Sequence, residues 1–277
     1  MTVPTAAVMV YTQKNGALVA SPDHLAIEEP LEIRLDSPEG PSTLSVTMRT
    51  PGHDFELVTG FLLAEGVVDR REDIRRVAYC MDPDLDTEQR FNVVTAELTV
   101  PPGRASVARH VLTSSSCGVC GSASIEAVRL GGHPTLPDGP KVSAAMISRF
   151  PGLLRAGQRA FASTGGLHGV ALMSPAGDVL VLREDVGRHN AVDKVLGCAL
   201  LDGGVALSES VLVVSGRISF EIVQKALRSG VPMVVAVSAA TSLAARLAGE
   251  FGMTLVGFVR DDRFVVYAGR ERIISED

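Results

Sequence analysis

Hydrophobic positions along this chain change their period several times, and each change marks a different kind of element. Residues 1–30 show no sustained period beyond an apolar patch at Ala7–Tyr11, so they are expected to be irregular with one short strand. Leu31–Leu35 and Leu44–Arg49 alternate apolar and polar residues. The turn-rich stretch Asp36-Ser37-Pro38-Glu39-Gly40-Pro41 separates them, which predicts a hairpin with a long loop. Asp54 is placed to cap a helix over Phe55–Ala64, with Leu57, Val58, Phe61, Leu62 and Ala64 largely on one face and Gly66 at its end. Ile74–Cys80 and Phe91–Val100 read as two more strands around an acidic loop, Met81–Gln89. Residues 1–112 therefore read as a small α+β subdomain.

A short helix over Arg104–Leu112 leads to a Ser/Gly run, and another over Ser124–Leu130 leaves it for a Gly/Pro-rich linker, so 113–140 reads as loop and linker. From Ser143 a helical period runs to about Ala156, with a bend or break expected at Pro151. Gly169–Met173 and Val179–Arg183 are strands around a Pro-Ala-Gly-Asp turn. Asn190 is placed to cap a helix that buries Val192, Val195, Leu196 and Ala199. The apolar strands Val211–Val214, Met233–Val237 and Thr254–Val259 then alternate with helices starting at Ser219 and at Thr241 or Ser242. In the first of these, Glu221 and Lys225 are spaced to pair on the exposed face. Strand–helix alternation implies βαβ units, hence an α/β domain over 141–277 with a mostly parallel sheet covered on both faces. Ligands bind such sheets beyond the carboxyl ends of the strands. Three polar clusters fall there: Glu184–Asn190, Ser215-Gly216-Arg217 and Arg260-Asp261-Asp262-Arg263.

Composition narrows the function. Aromatics make up 4% of the chain and Trp is absent, so the cores must be aliphatic, as in helix-covered parallel sheets. A net charge of -6 argues against nucleic-acid binding, which needs a broad basic footprint. No apolar run reaches the length of a membrane span, and the first residues carry no basic leader. Four cysteines in so long a chain make no disulfide framework, so a cytoplasmic protein with reduced thiols is expected.

The candidate chemistry begins with Thr113-Ser114-Ser115-Ser116-Cys117-Gly118-Val119-Cys120-Gly121-Ser122, which should be an exposed, mobile loop. Metal binding, dithiol redox exchange and sulfur transfer are all open to a thiol pair there. Zinc needs four ligands, and no second CxxC accompanies this one; Cys80 and Cys198 fall on a strand and a helix, and His110, His133, His168 and His189 are scattered. No tightly held metal is expected. A thioredoxin-like site needs its CxxC just after a strand and at a helix start, whereas this one follows a Ser run. Sulfur transfer suits an accessible thiolate in a Gly-rich loop, whose backbone N–H groups stabilise an anionic persulfide. Arg188, His189 and the helix start beside them are suited to a phosphate, Arg217 at a strand end to an anion, and Thr164-Gly165-Gly166-Leu167-His168 to a turn or a close ligand approach. Cys198 reads as plain core.

Ser116–Gly121, Thr164–His168, the run Glu184-Asp185-Val186-Gly187-Arg188-His189-Asn190-Ala191-Val192-Asp193-Lys194, Ser215-Gly216-Arg217, Thr241–Ala244 and Leu255–Phe258 occur in this order. Together they closely resemble the FdhD family, the sulfurtransferases accessory to formate dehydrogenase. The resemblance implies a cytidine-deaminase-like three-layer sheet with helices on both faces, a smaller N-terminal subdomain, and a homodimer. It implies that sulfane sulfur, held as a cysteine persulfide on Cys117 with Cys120 assisting, passes from a cysteine desulfurase to the molybdenum cofactor. That acceptor is bis-molybdopterin guanine dinucleotide, before its insertion into formate dehydrogenase. The family's cofactor-binding stretch aligns with Phe258, Val259, Arg260, Asp261, Asp262 and Arg263. The alternative reading is a non-catalytic molybdenum-cofactor chaperone. Where relatives often carry Lys-Pro-Gly or similar, this chain has Val-Arg-Asp-Asp, and two carboxylates beside a phosphate-bearing ligand must point away or bind its guanine edge. A deaminase signature needs Glu two residues after His, but Gly169 and Val170 follow His168, which argues against deamination.

Overall fold

A computed structural model describes residues 4–37, 40–80, 90–101, 128, 136 and 138–275. Residues 5–26 are not irregular. β1 (Thr5–Lys14) and β2 (Ala17–Ala26) pair antiparallel along their whole length. Their turn is Asn15-Gly16, with φ of 50° and 83°, the positive pair that a type I′ hairpin turn requires. The strand period is hidden because neither face of this ribbon is buried, so nothing forces apolar and polar residues to alternate.

A second sheet takes β3 (Glu29–Ser37), β4 (Gly40–Arg49), β5 (Ile74–Tyr79) and β6 (Val93–Leu98) in the order β4-β3-β6-β5. β3 and β4 stay paired as far as Ser37↔Gly40, so the long hairpin loop is absent. Leu31, Ile33 and Leu35 alternate into a core with Leu57, Val58 and Leu62 of α1 (Asp54–Ala64). The helix starts one residue earlier than its apolar period. His53 occupies the cap position at φ 60° without a side-chain cap bond, and Asp54 is the first helical residue. The Asp54 carboxylate turns instead to buried Arg49, which donates to it from Nε and Nη2 at 3.0 Å each, while the Tyr79 hydroxyl donates at 3.0 Å.

After β7 (Val142–Ser143), the Ser143 hydroxyl caps α2 (Ala144–Gly157) by accepting from the Met146 amide at 3.2 Å. α2 runs unbroken through Pro151. Ile147, Phe150 and Leu154, buried on both sides of the proline, hold the helix where local propensity alone would end it. Next come α3 (Arg159–Thr164), β8 (His168–Met173), β9 (Val179–Asp185), α4 (Arg188–Asp202), β10 (Val211–Val214), α5 (Phe220–Arg228), β11 (Met233–Ala236), α6 (Ser242–Glu250), β12 (Thr254–Arg260), β13 (Arg263–Ala268) and the short β14 (Ile273–Ile274).

The main sheet has the order β13-β12-β11-β10-β8-β9. Only the β10–β11 and β11–β12 pairings are parallel; β8–β10, β8–β9 and β12–β13 pair antiparallel. The mostly parallel sheet expected from strand–helix alternation is therefore mixed. Two of its connections, 174–178 and 261–262, are tight turns, and tight turns join antiparallel strands. Both faces are covered. Leu172, Leu212, Val234 and Leu255 face α4, α5 and α6, while Ala171, Val213, Val235 and Val256 face α2. The result is a three-layer α/β architecture. No helix among the described residues is long and apolar enough to cross a membrane.

The two sheets are joined by α1 lying on α4. A Cβ on Gly60 would stand 1.9 Å from the Asp193 carbonyl oxygen, and one on Gly197 1.8 Å from that of Glu56. The helices touch backbone to backbone, so α4 is buried on every side from Asn190 to Ala199 rather than along one stripe. Gly60→Ala or Gly197→Ala should cost about 2–3 kcal/mol in urea unfolding, as overpacking does. Gly152→Ala, in a helix where an added Cβ meets nothing within 4 Å, should instead stabilise by about 1 kcal/mol.

Candidate functional site

β8 runs against its neighbours, so its first residues lie at the same sheet edge as the last residues of β9, β10, β11 and β12. All three polar clusters read from the sequence meet along that edge. From β12 to β9 it spans four strand spacings, roughly 19 Å.

The anchor of this edge is Asp185, whose side chain is wholly buried. Its Oδ2 accepts from Lys194 Nζ at 2.7 Å and from the Thr50 amide at 3.1 Å. Its Oδ1 accepts from the Gly187 amide at 2.8 Å and from Asn190 Nδ2 at 3.2 Å. Lys194 Nζ also donates to the Thr50 carbonyl, and Asn190 Nδ2 to that of Met48. The helix begins at Arg188 with Gly187 as its cap residue, so Asn190 is a strap within the first turn and not the cap. Asp185 accepts from the amide of the cap residue Gly187, while Val186 donates to Thr50 Oγ1, so a protein carboxylate already stands at the helix start offered to a phosphate. Most of the long acidic-to-basic motif is thus structural. Glu184 accepts from the Ala160 and Phe161 amides at the start of α3, and Asp193 pairs with Lys225 Nζ at 2.8 and 3.0 Å. Lys225 is buried, so its pairing with Glu221 on an exposed face does not form. Burial raises Asp193 to about 6, which leaves the pair ionised at neutral pH.

Arg188, His189, His168 and Gly216 form the middle of the edge. A Cβ on Gly216 would meet the His168 ring at 3.3 Å and Arg188 Cδ at 3.9 Å, so this glycine leaves room between them. Arg188 makes no ion pair among the described residues, and its Nε is buried without a hydrogen-bond partner there. His189 Nε2 lies 3.2 Å from Ser219 Oγ, and the carboxylate of Glu221 is 3.9 Å away. Burial, with Arg188 and Lys225, pushes His189 down to about 4; burial and Arg188 also lower His168. Both imidazoles are neutral at pH 7, and the positive charge of the site comes from arginines. In Thr164–His168, Gly165, at φ 67°, ends α3.

Arg217 is exposed at the end of β10. Phe258–Arg263 closes β12 onto β13, with Arg260 paired to Arg263. Phe258 is 41% exposed and holds φ 53°, a strained region for an aromatic residue, fixed by its amide bond to the Ser238 carbonyl at 3.0 Å. Arg260, Asp261, Asp262 and Arg263 are exposed, whereas Val259 is buried under α2. A cleft of about 670 Å³ lies beside this hairpin, lined by Ser148, Arg149 and Gly152 of α2 and by Val237, Arg260 and Asp261. Arg149 belongs to no sequence motif, because an isolated Arg on a helix carries no local signal.

Cys117 and Cys120 lie outside the described residues, as do the helices expected over Arg104–Leu112 and Ser124–Leu130, apart from Val128, and the loop Met81–Gln89. Cys198 is core, as its position on α4 implied. Its sulfur accepts from Arg183 Nη2 at 3.2 Å, and burial pushes the thiol up to about 11, so it stays protonated. No three His, Cys, Asp or Glu side chains among the described residues are grouped to hold a metal.

These features define a class: a three-layer α/β protein whose sheet edge gathers arginines that make no ion pair among the described residues. The model of the FdhD/NarQ family matches residues 26–274, and the chain belongs to that family. It is 48% identical over 265 residues to the sulfur carrier protein FdhD of Streptomyces avermitilis, covering 94% of this chain and 92% of that one. It is also 48% identical over 267 residues to the sulfur carrier protein FdhD of Mycobacterium tuberculosis, covering 92% and 94%. A crystal structure of a putative formate dehydrogenase accessory protein from Desulfotalea psychrophila superposes with a TM-score of 0.75 at 27% identity, covering 98% and 99% of the two chains.

Removing one partner of the Asp185–Lys194 pair strands a buried charge. Lys194→Met should therefore cost about 3–5 kcal/mol by urea unfolding, and adding Asp185→Asn should recover part of it. His189 supplies a pH test. Its folded value of about 4 lies below the unfolded 6.5, so the unfolded chain binds this proton more readily. Stability should rise with pH between those values, and His189→Gln should flatten that part of the profile; equal slopes in both proteins would contradict the shift.

Proposed function

We propose that this chain is a sulfur carrier in formate dehydrogenase maturation. Cys117 receives sulfane sulfur from a cysteine desulfurase and passes it to bis-molybdopterin guanine dinucleotide, the acceptor substrate. The observation that carries this reading is the pairing of a Cys117-Gly118-Val119-Cys120 motif with a sheet edge of unpaired arginines, in a chain of the FdhD/NarQ family. Neither feature alone selects it: a thiol pair serves many chemistries, and an arginine edge binds many anions.

The Cys117 thiolate attacks the terminal sulfur of the desulfurase persulfide. That S–S bond breaks, the desulfurase cysteine leaves as thiolate, and Cys117 holds the persulfide. The acceptor's phosphates lie along Arg188, Arg217, Arg260 and Arg263, where Arg forks match phosphate oxygens. His189, neutral and beside Ser219, contributes a hydrogen bond and not a charge. The exposed Phe258 ring offers a guanine a stacking face. The Cys117 S–S bond then breaks: the terminal sulfur passes to the reduced metal of the acceptor, which supplies the two electrons, Cys117 leaves as thiolate, and Cys120 assists in releasing or resetting the carrier. In this reading the protein works in the reducing cytoplasm as a homodimer and holds no metal of its own. Residues 141–277 form the cytidine-deaminase-like domain, 1–112 the smaller subdomain, and 113–140 the carrier loop and linker.

A cofactor chaperone that moves no sulfur is the competing reading, favoured by how much of the arginine edge serves binding alone. Incubation with a desulfurase and cysteine separates the two. A carrier gains about 32 Da per loaded thiol by mass spectrometry, and a chaperone gains nothing. Cys117→Ala should lose the adduct at that position and abolish formate dehydrogenase activation while leaving cofactor affinity within about twofold. Full activation by that variant would sink the assignment.

A further inference from the structure

Neither face of the β1–β2 ribbon is buried by the other described residues. Met9, Tyr11 and Leu18 share one face and are 67%, 72% and 71% exposed, and Leu25 on the other face is 50% exposed. A two-stranded hairpin is marginally stable at best in water; three or more strands with an apolar face are needed to stand alone. Each strand runs ten residues, so the ribbon reaches about 34 Å from its root. That root lies beside the site. The Ile27 amide donates to the Pro4 carbonyl at 3.1 Å, and a Cβ on Gly166, two residues before His168, would stand 3.7 Å from that of Ala26. The two strands form a sheet of their own, so each has one free edge. The edges are unlike. β2 carries Pro22, which has no N–H, followed by Asp23 and His24, whereas β1 has neither proline nor charge from Thr5 to Gln13. Proline and charge are what keep an edge strand from adding another strand, and β1 lacks both.

We infer that β1 pairs antiparallel, edge to edge, with β1 of a second copy of the chain, making one four-stranded sheet in the order β2-β1-β1-β2 across a two-fold axis. An antiparallel pair of identical strands is self-complementary, so a two-fold closes it. The outer edges of the new sheet are then both β2, blunted by Pro22 and Asp23, and growth stops at two copies. An axis perpendicular to the ribbon keeps Met9 and Tyr11 of both copies on one face near the centre. It also sends the two Lys14 side chains to opposite ends, where like charges do not meet. About 20 strand residues per copy enter this sheet, the low end of the roughly 20–30 a side that stable interfaces engage. A bare apolar edge of this length invites aggregation if it is left open between encounters with a transient partner. A second copy is the partner present whenever the chain is. The inference rests on the homodimer of the reading proposed above and gives that homodimer its contact.

Analytical ultracentrifugation of the full chain tests it. The unmodified protein should sediment at twice the 29.1 kDa of one chain. Met9→Lys combined with Tyr11→Lys sets like charges beside the axis and should raise the dimer dissociation constant about 100-fold or more. Val46→Lys, at an exposed apolar position on the edge strand β4, should leave the dimer intact. Hydrogen exchange on the unmodified protein makes the test independent of how the charged ribbon folds. The β1 amides that face away from β2 should be protected in the dimer and should exchange freely once dilution separates the copies. A dimer that persists in the double lysine variant, dissociation by Val46→Lys instead, or unprotected free-edge amides in the dimer overturns the ribbon contact and leaves the homodimer standing. A monomeric unmodified protein overturns both, the ribbon then being free for a different protein. The sulfur adduct at Cys117 is read on the same samples, and its absence fails the carrier reading whatever the mass.

Discussion

One buried carboxylate fixes the geometry on which the rest depends. Asp185 ends β9, and its oxygens gather donors from Thr50, Gly187, Asn190 and Lys194. Those donors come from the end of the N-terminal sheet and from the first two turns of α4, so a single side chain sets the approach of the two halves. A charge of this kind is tolerated in the interior only because every lone pair is met. The same contacts aim Arg188 and His189 at the sheet edge, where the arginine makes no ion pair among the described residues. Structure and site are therefore coupled through neighbouring residues of one motif, with Asp185, Asn190 and Lys194 buried and Arg188 and His189 at the edge.

Around that anchor, the mixed topology supplies the site's breadth. A wholly parallel sheet would present only strand ends and the helices that follow them. Here the antiparallel β8 adds its beginning, His168, to the same edge, and the β12–β13 hairpin extends the edge outward with Phe258 and four charged residues. The strain at Phe258 marks where the ladder slips between Gly257 and Arg260 to turn an aromatic ring to the outside.

Much of this was legible in the sequence, and the gaps have physical causes. Apolar runs in the central strands and the caps at Ser143 and Thr241 were readable because burial and local hydrogen bonding act on neighbouring residues. The convergence of the three polar clusters followed from strand order at a common edge. The β1–β2 ribbon was missed because a two-sided exposed hairpin lacks alternation, although Asn15-Gly16 announced its turn. Asp54 and Asn190 were read as caps because they precede apolar periods, but tertiary partners, Arg49 for one and Met48 and Asp185 for the other, claimed their side chains. The spacing of Glu221 and Lys225 suggests a surface pair because Asp193, the true partner in another helix, is invisible to a local reading. Arg149 carries no motif at all.

The glycine contact between α1 and α4 also bears on how the chain is made. Thr50 and Lys194, which bracket that contact, are 144 residues apart in sequence. Ribosomes add about 5–20 residues per second, so the α1 surface that awaits Gly197 emerges roughly 7–29 seconds before its partner exists. Through that interval the N-terminal sheet has its own core but no cover for its glycine face. Final docking is a late, non-local step, and a nascent chain stalled before α4 is the form of this protein with most need of a chaperone.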